Sequence, residues 1–160
     1  PLGNDFHEDH LIQAFHGRNT PVKSALLDQK LVAGLGNIYV CEVLHRTGID
    51  PRRKAGRIAG ARVATLVPAI RDVLTEAIDA GGSTLGDAQY VDLMGEGGSY
   101  QDEHRVYGRG GERCLSCGRV CSTTLHHPLL AVMSQQFLAV DGRFLIACEG
   151  GCSDQRSGCN

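Results

Sequence analysis

Two apolar runs of helical period meet across a glycine-punctuated turn, and that junction limits the fold more than any other feature of the chain. Residues 26–40 read LLDQKLVAGLGNIYV. The leucines serve a core, whereas Gly34-Leu35-Gly36-Asn37 stops one helix and starts another. Upstream, TPVKSALLDQ carries a capping Thr20 and then Pro21 at the first helical position, where its missing amide is harmless. Downstream, Asn37 is placed to cap a helix over residues 38–46, closed by Gly48. A helix that begins there exposes unpaired amides and the positive end of its dipole, which suits a phosphate. Glycines would let a phosphodiester backbone come close. An ordinary corner between two helices is the other reading of the same residues.

The flanking patterns are also helical. DFHEDHLIQAFHG starts at a capping Asp5 and stops at Gly17, with Leu11 and Phe15 four residues apart. Beyond Asp50-Pro51, apolar residues at 63, 66, 67, 70, 73, 74, 77 and 78 mark a long helix ended by Gly81-Gly82. Pro68 falls on its polar side, removing one backbone hydrogen bond and bending the helix. Residues 81–113 are rich in Gly, Ser and Asp and lack a period, so a long loop or short strands fit them. With no tryptophan and 5% aromatics, aliphatic helix packing dominates the 42% hydrophobic content.

A net charge of −2 argues against a generic polyanion binder. The charge is uneven, however: residues 51–62, PRRKAGRIAGAR, hold five basic residues and no acid. Residues 63–100 hold one arginine against six acids. A local basic segment on a near-neutral chain suits a partner with a defined footprint, or is simply a solvated loop. No apolar run approaches 18 residues and the first residues lack a signal layout, so the expectation is a soluble, cytoplasmic protein, nucleoid-associated in a bacterium, with no membrane partner. Six of seven cysteines crowd into the last third: Cys114, Cys117, Cys121, Cys148, Cys152 and Cys159. An odd, clustered set points to metal rather than to a disulfide scaffold. Cys41 lies in an apolar helical run and is assigned to the core.

The order of residues in TPVKSALLDQKLVAGLGNIYVCEVLHRTGIDP, from Thr20 to Pro51, resembles the helix-two-turn-helix signature of the formamidopyrimidine-DNA glycosylase/endonuclease VIII family of base-excision repair enzymes. AIDAGGSTL at 77–85 and VYGRGGERCLSCG at 106–118 match further blocks in the right order. The resemblance covers residues 1–118 well and the remainder loosely. It implies a mainly α fold: a helix-two-turn-helix lobe over 1–85, a connecting loop over 86–113, and a small zinc-finger β-hairpin over 114–160. It implies double-stranded DNA as partner, damaged or abasic duplexes included. Asn37 and the Gly36 turn would touch a phosphate, Lys23 would face the damaged strand, and Tyr39 would pack behind the turn. Arg18 stands where the family tends to be basic, although Asn19 follows it. Arg143, five residues before Cys148, matches an arginine that grips a phosphate and assists strand scission.

The same resemblance implies a bound zinc ion on Cys114, Cys117, Cys148 and Cys152. Cys114-x-x-Cys117-Gly is a zinc knuckle, but thirty residues separate the two pairs and three separate the last two cysteines. The insertion LHHPLLAVMSQQFLA departs from the family pattern and adds His126 and His127 as rival ligands, beside Cys121 and Cys159. The family's catalytic amine is an N-terminal proline followed by glutamate. Pro1 is followed by Leu2 and Gly3, and PLGNDF matches the interdomain linker instead, so no catalytic residue is assigned. The expected function is duplex DNA binding by a C-terminal half of a glycosylase-like protein, without efficient base excision. Rival readings are a weak abasic-site lyase using Lys23 or Pro1, an RNA-binding module of the same shape, and a remnant without function.

Overall fold

The computed structural model describes residues 1–84, 97–125 and 143–148, with the backbone alone for 122–125 and 143–148. Among the described residues four α-helices dominate: α1 (Glu8–Phe15), α2 (Val22–Leu27), α3 (Asn37–Thr47) and α4 (Gly60–Asp79). Short 3-10 turns occupy Ala55–Arg57 and Tyr100–Glu103. Two strands, β1 (Cys121–Leu125) and β2 (Arg143–Cys148), pair antiparallel with Cys121 opposite Cys148 and Leu125 opposite Arg143. Among the described residues no helix is long and apolar enough to cross a membrane.

α3 and α4 pack against each other, with α1 on α4 and α2 on α3. One cluster holds Leu11 and Phe15 of α1, Val22 and Leu26 of α2, Val40, Val43 and Leu44 of α3, and Val63, Leu66, Ile70 and Val73 of α4. Val32 and Leu35 from the turn between α2 and α3 are buried in it as well. α4 runs unbroken through Pro68, which is exposed on its outer side as its position in the pattern requires.

Tertiary contacts shift three of the expected helix starts. Asp5 does not cap α1, which begins at Glu8 with His7 before it. The Phe6 ring is buried and Arg71 of α4 donates to the carbonyl of Phe6 at 2.6 Å, so this segment is pinned to α4 as a turn. Pro21 lies outside α2, in an extended conformation bridged to Lys54, while the carbonyl of Thr20 accepts from the amide of Ala55 at 2.9 Å. That pairing holds the chain extended for one residue longer than local capping alone would. Asn37 is the first residue of α3 rather than its cap, a place taken by Gly36. Gly48 closes α3 in the left-handed region at φ 61°, and the amide of Ile49 returns to the carbonyl of Leu44 at 3.0 Å.

A buried carboxylate ties the connector to this bundle. Glu42 of α3 is fully buried, and its two oxygens accept from the amides of Arg105 (3.0 Å), Val106 (3.1 Å) and Tyr107 (2.9 Å). Burying an acid is costly unless several donors satisfy it, and three successive amides do so here. Tyr100 is inserted into the helical core, and burial pushes its phenol up to about 12. Arg46, one turn after Glu42, donates to Glu76 of α4 at 2.7 Å and to the Tyr100 hydroxyl at 3.4 Å. The segment from 97 to 107 is therefore docked on the helices rather than looped away from them.

Glu42→Ala strands three amide donors and leaves a void, so it should lower unfolding stability by about 2–4 kcal/mol. Urea unfolding would measure this; a loss below about 1 kcal/mol would mean that water replaces the carboxylate without difficulty.

Candidate functional site

The turn between α2 and α3 is held by two side chains. The carboxylate of Asp28, just past α2, accepts from the amide of Lys30 at 3.0 Å, and its carbonyl accepts from Leu31 and Val32. Gln29 closes the second half: its carbonyl oxygen accepts from the amide of Gly34 at 2.9 Å, and its amide donates to the carbonyls of Leu27 and Leu35. Gln29 thus supplies the partners that a loop this tight cannot supply from its own backbone. Gly34 sits at φ 83°, a conformation that side chains resist. Gly36 has an extended backbone, φ −90° and ψ 175°, and a side chain placed there would meet open space.

α3 starts at this turn with no side-chain cap and no acid in its first turn, so its first amides and the positive end of its dipole are left to face an anion. The side chain of Asn37 stands at that end. Cys41, one helical turn further on, donates weakly to Asn37 Oδ1 at 3.9 Å. Lys23, from the first turn of α2, donates from Nζ to the same sulfur at 3.4 Å. Lys23 is only 3% exposed, so its stem crosses the core edge and its ammonium arrives beside Asn37. Cys41 is buried, as its apolar surroundings in sequence required, but its neighbours are polar. Burial pushes its thiol up, partly offset by Lys23.

The basic segment is brought alongside. Val22 donates to the carbonyl of Arg53 at 2.8 Å and Lys23 to that of Pro51 at 3.3 Å, so residues 51–54 run antiparallel to the start of α2. Arg52, Arg53, Lys54 and Arg57 are exposed. Arg52 pairs with Asp50 at 2.9 Å, which holds the Asp50 carboxyl below its usual range. Gly56 permits the approach: a Cβ there would lie 2.9 Å from the carbonyl oxygen of Arg18. Arg18 itself is turned inward, donating from Nε to the carbonyl of Ala14 at 2.6 Å and lying 3.8 Å from Asp28. Tyr39 packs against the ring of Tyr100, with centroids 5.8 Å apart.

A second cluster lies at the far end of α3. Cys114 and Cys121 are buried together with Cys117 against them. The amide of Ser116 points at Cys114 Sγ at 3.4 Å, and that of Gly118, at φ 70°, returns to the carbonyl of Cys114 at 2.9 Å. This turn, with two thiols three positions apart and an amide donated to one sulfur, fits half of a thiolate zinc site. His45 Nε2 from α3 lies 3.4 Å from Cys114 Sγ. Among the described residues, no three His, Cys, Asp or Glu side chains converge on a point that could hold a metal. The backbone of Cys148 is described, opposite Cys121, and that of Arg143 at the start of β2. Cys152, Cys159, His126 and His127 lie outside the described residues.

The formamidopyrimidine-DNA glycosylase H2TH domain matches residues 1–89. The chain belongs to that family. A formamidopyrimidine-DNA glycosylase of Ruegeria pomeroyi is 66% identical over 118 residues, covering 74% of this chain and 41% of the relative. One from Jannaschia is 64% identical over 114 residues, 71% of this chain and 40% of its own. The chain therefore spans about two fifths of the length of the curated relatives it matches. Among solved structures, the MutM (Fpg) protein of Thermus thermophilus superposes with a TM-score of 0.77 at 35% identity, over 92% of this chain and 50% of that one. The Lactococcus lactis Fpg in complex with abasic-site DNA gives a TM-score of 0.70 at 31% identity, over 89% and 46%.

In this member of the H2TH family, three residues that shape the site carry no sequence signal as ligands. Gln29 and Glu42 look like ordinary polar positions in helical runs, and Cys41 looks like plain core. A clue was present for Gln29, a side chain with both donor and acceptor placed inside the turn.

The two turn glycines should separate. Gly34→Ala puts a side chain at positive φ and should cost about 1–2 kcal/mol of stability. Gly36→Ala adds a methyl to open space in an allowed conformation and should leave stability within about 0.5 kcal/mol. Urea unfolding of both variants checks the assignment; equal losses would refute it.

Proposed function

We propose that this chain binds duplex DNA, damaged and abasic duplexes included, by seating a backbone phosphate at the start of α3. The supporting observation is that Lys23 and Asn37, fourteen positions apart, meet at one sulfur beside the helix start that follows the Gly34–Gly36 turn. Asn37 and the first amides of α3 donate to the phosphate, and the Lys23 ammonium offsets its charge. Gly36 gives the phosphodiester room, and Tyr39 braces the turn from behind. The exposed residues of 52–57 extend the contact along the strand, with Arg18 at its inner edge; Arg143 is a further phosphate contact in this reading. Likeness to Lactococcus lactis Fpg proteins solved with Fapy-dG-containing and abasic-site DNA supports this choice of partner. No catalytic amine is assigned to Lys23 or Pro1.

Zinc belongs to the same reading. Cys114 and Cys117 would hold it from the knuckle, with Cys148 and Cys152 completing the set. A bound ion would cross-link the knuckle to β2 and so fix Arg143 relative to α3. Protein purified without chelator should carry one zinc per chain by elemental analysis. Such sites can contribute roughly 10–16 kcal/mol of apparent binding free energy. Cys114→Ser should lose the metal while the helical lobe keeps its circular dichroism. Metal-free wild type would rule the site out.

The phosphate contact has a salt signature. Asn37→Ala should weaken binding to all duplexes by a similar factor and leave the salt slope nearly unchanged, because an uncharged donor releases no counterion. Lys23→Ala should flatten the slope by about one unit. Fluorescence anisotropy across salt concentrations measures both. Folded variants that bind like the parent would reduce the turn to a structural corner.

A further inference from the structure

We propose that Cys41 is the positioning residue of the phosphate seat, and that its sulfur orients Asn37 and retains Lys23; this rests on the DNA-binding reading above. Asn37 and Cys41 are four positions apart on one face of α3, and Lys23 comes from α2, so their meeting is tertiary. The sulfur lies 3.4 Å from Lys23 Nζ and 3.9 Å from Asn37 Oδ1, and Cys41 is 6% exposed, so it stands behind the half-buried Asn37 and next to a Lys23 that is buried as deeply.

An asparagine amide is ambiguous: one end donates and the other accepts. A phosphate requires the donating end. The Cys41 thiol occupies Oδ1 from the buried side, and because the amide is planar, Nδ2 and its two hydrogens are then turned away from the sulfur. The donor pair is set toward the open end of α3 before any ligand arrives, so no rotamer search is left for binding. Because burial raises the thiol's pKa, the sulfur keeps its proton at neutral pH and stays a donor to Asn37.

Lys23 meets the same atom. A lysine on four flexible carbons would spread its charge over a wide surface, and the sulfur lone pairs give the ammonium a fixed stop. The thiol thereby donates to one phosphate group's ligand and accepts from the other. Alanine at this position would keep the helix but lose both links.

The test is a double-mutant cycle on the whole chain, with binding to a duplex containing an abasic-site analogue measured by anisotropy at fixed salt. Cys41→Ala should weaken binding about fivefold with unfolding stability and helical content retained. In the Asn37→Ala background the same change should cost less, about twofold, since the orientation it protects is gone and only the Lys23 link remains to be lost. Cys41→Ser, which restores a donor and an acceptor, should recover at least half of the loss. If Cys41→Ala is poorly folded, Cys41→Val fills the volume without polar capacity and should give the same fivefold effect. Cys41→Ala or Cys41→Val binding like the parent while Asn37→Ala is impaired overturns this role for Cys41 and leaves the DNA reading standing. Equal losses in both backgrounds, or no recovery with serine, also overturn it. If Asn37→Ala and Lys23→Ala themselves bind like the parent, the DNA reading fails first and the role of Cys41 falls with it.

Discussion

The buried carboxylate of Glu42 is the constraint on which the rest of the molecule depends. A charge in the interior is tolerated only where donors converge on it, and the amides of Arg105, Val106 and Tyr107 are the donors. Satisfying that one group docks a segment sixty residues downstream against α3, and with it the knuckle that begins at Cys114. Arg46, on the same side of the helix, locks α4 and Tyr100 into the arrangement. Each helical residue turns roughly 100°, so Asn37 and Cys41 project on a different side from Glu42 and Arg46. One helix of 11 residues thus serves as a beam, with the phosphate seat at its start and the cysteine cluster touched by His45 near its end.

Electrostatics follows the same economy. A chain of net charge −2 has no general affinity for polyanions, yet it sets its basic residues together. Backbone hydrogen bonds place 51–54 beside the first turn of α2, so the exposed cations flank Lys23. Arg52 is drawn off by Asp50, and Lys54 donates to Asn19 Oδ1 at 3.3 Å. The acids of α4 lie elsewhere, and Glu76 is engaged with Arg46. The positive surface is local, and its footprint is set by helix α2 rather than by overall composition.

The cysteine tail shows how far a motif carries. Cys114-x-x-Cys117-Gly dictates its own local geometry, because a glycine at positive φ and an amide aimed at sulfur are properties of five consecutive residues. The cross-strand neighbour of Cys148 is Cys121, which the spacing of cysteines in sequence had marked only as a rival ligand. Strand register joins residues across an insertion that no local rule measures.

By itself the sequence determined the four helices, the turn at Gly34–Gly36, the left-handed stop at Gly48 and the exposed place of Pro68. Each follows from interactions within a few residues: apolar period, glycine's access to positive φ, proline's missing donor. It also determined the family, through the ordered run from Thr20 to Pro51. The tertiary structure decided what those rules could not reach. It set the starts of α1, α2 and α3 one or two residues from the expected caps, because Arg71, Lys54 and the turn compete for the same backbone groups. It buried Lys23 and gave Cys41 polar neighbours, since two helices must pack before an amine and a thiol 18 positions apart can meet. It folded Tyr100 into the core from a stretch with no period at all, because a single aromatic ring and a buried acid carry energy enough to dock a segment that has no helical propensity to announce it.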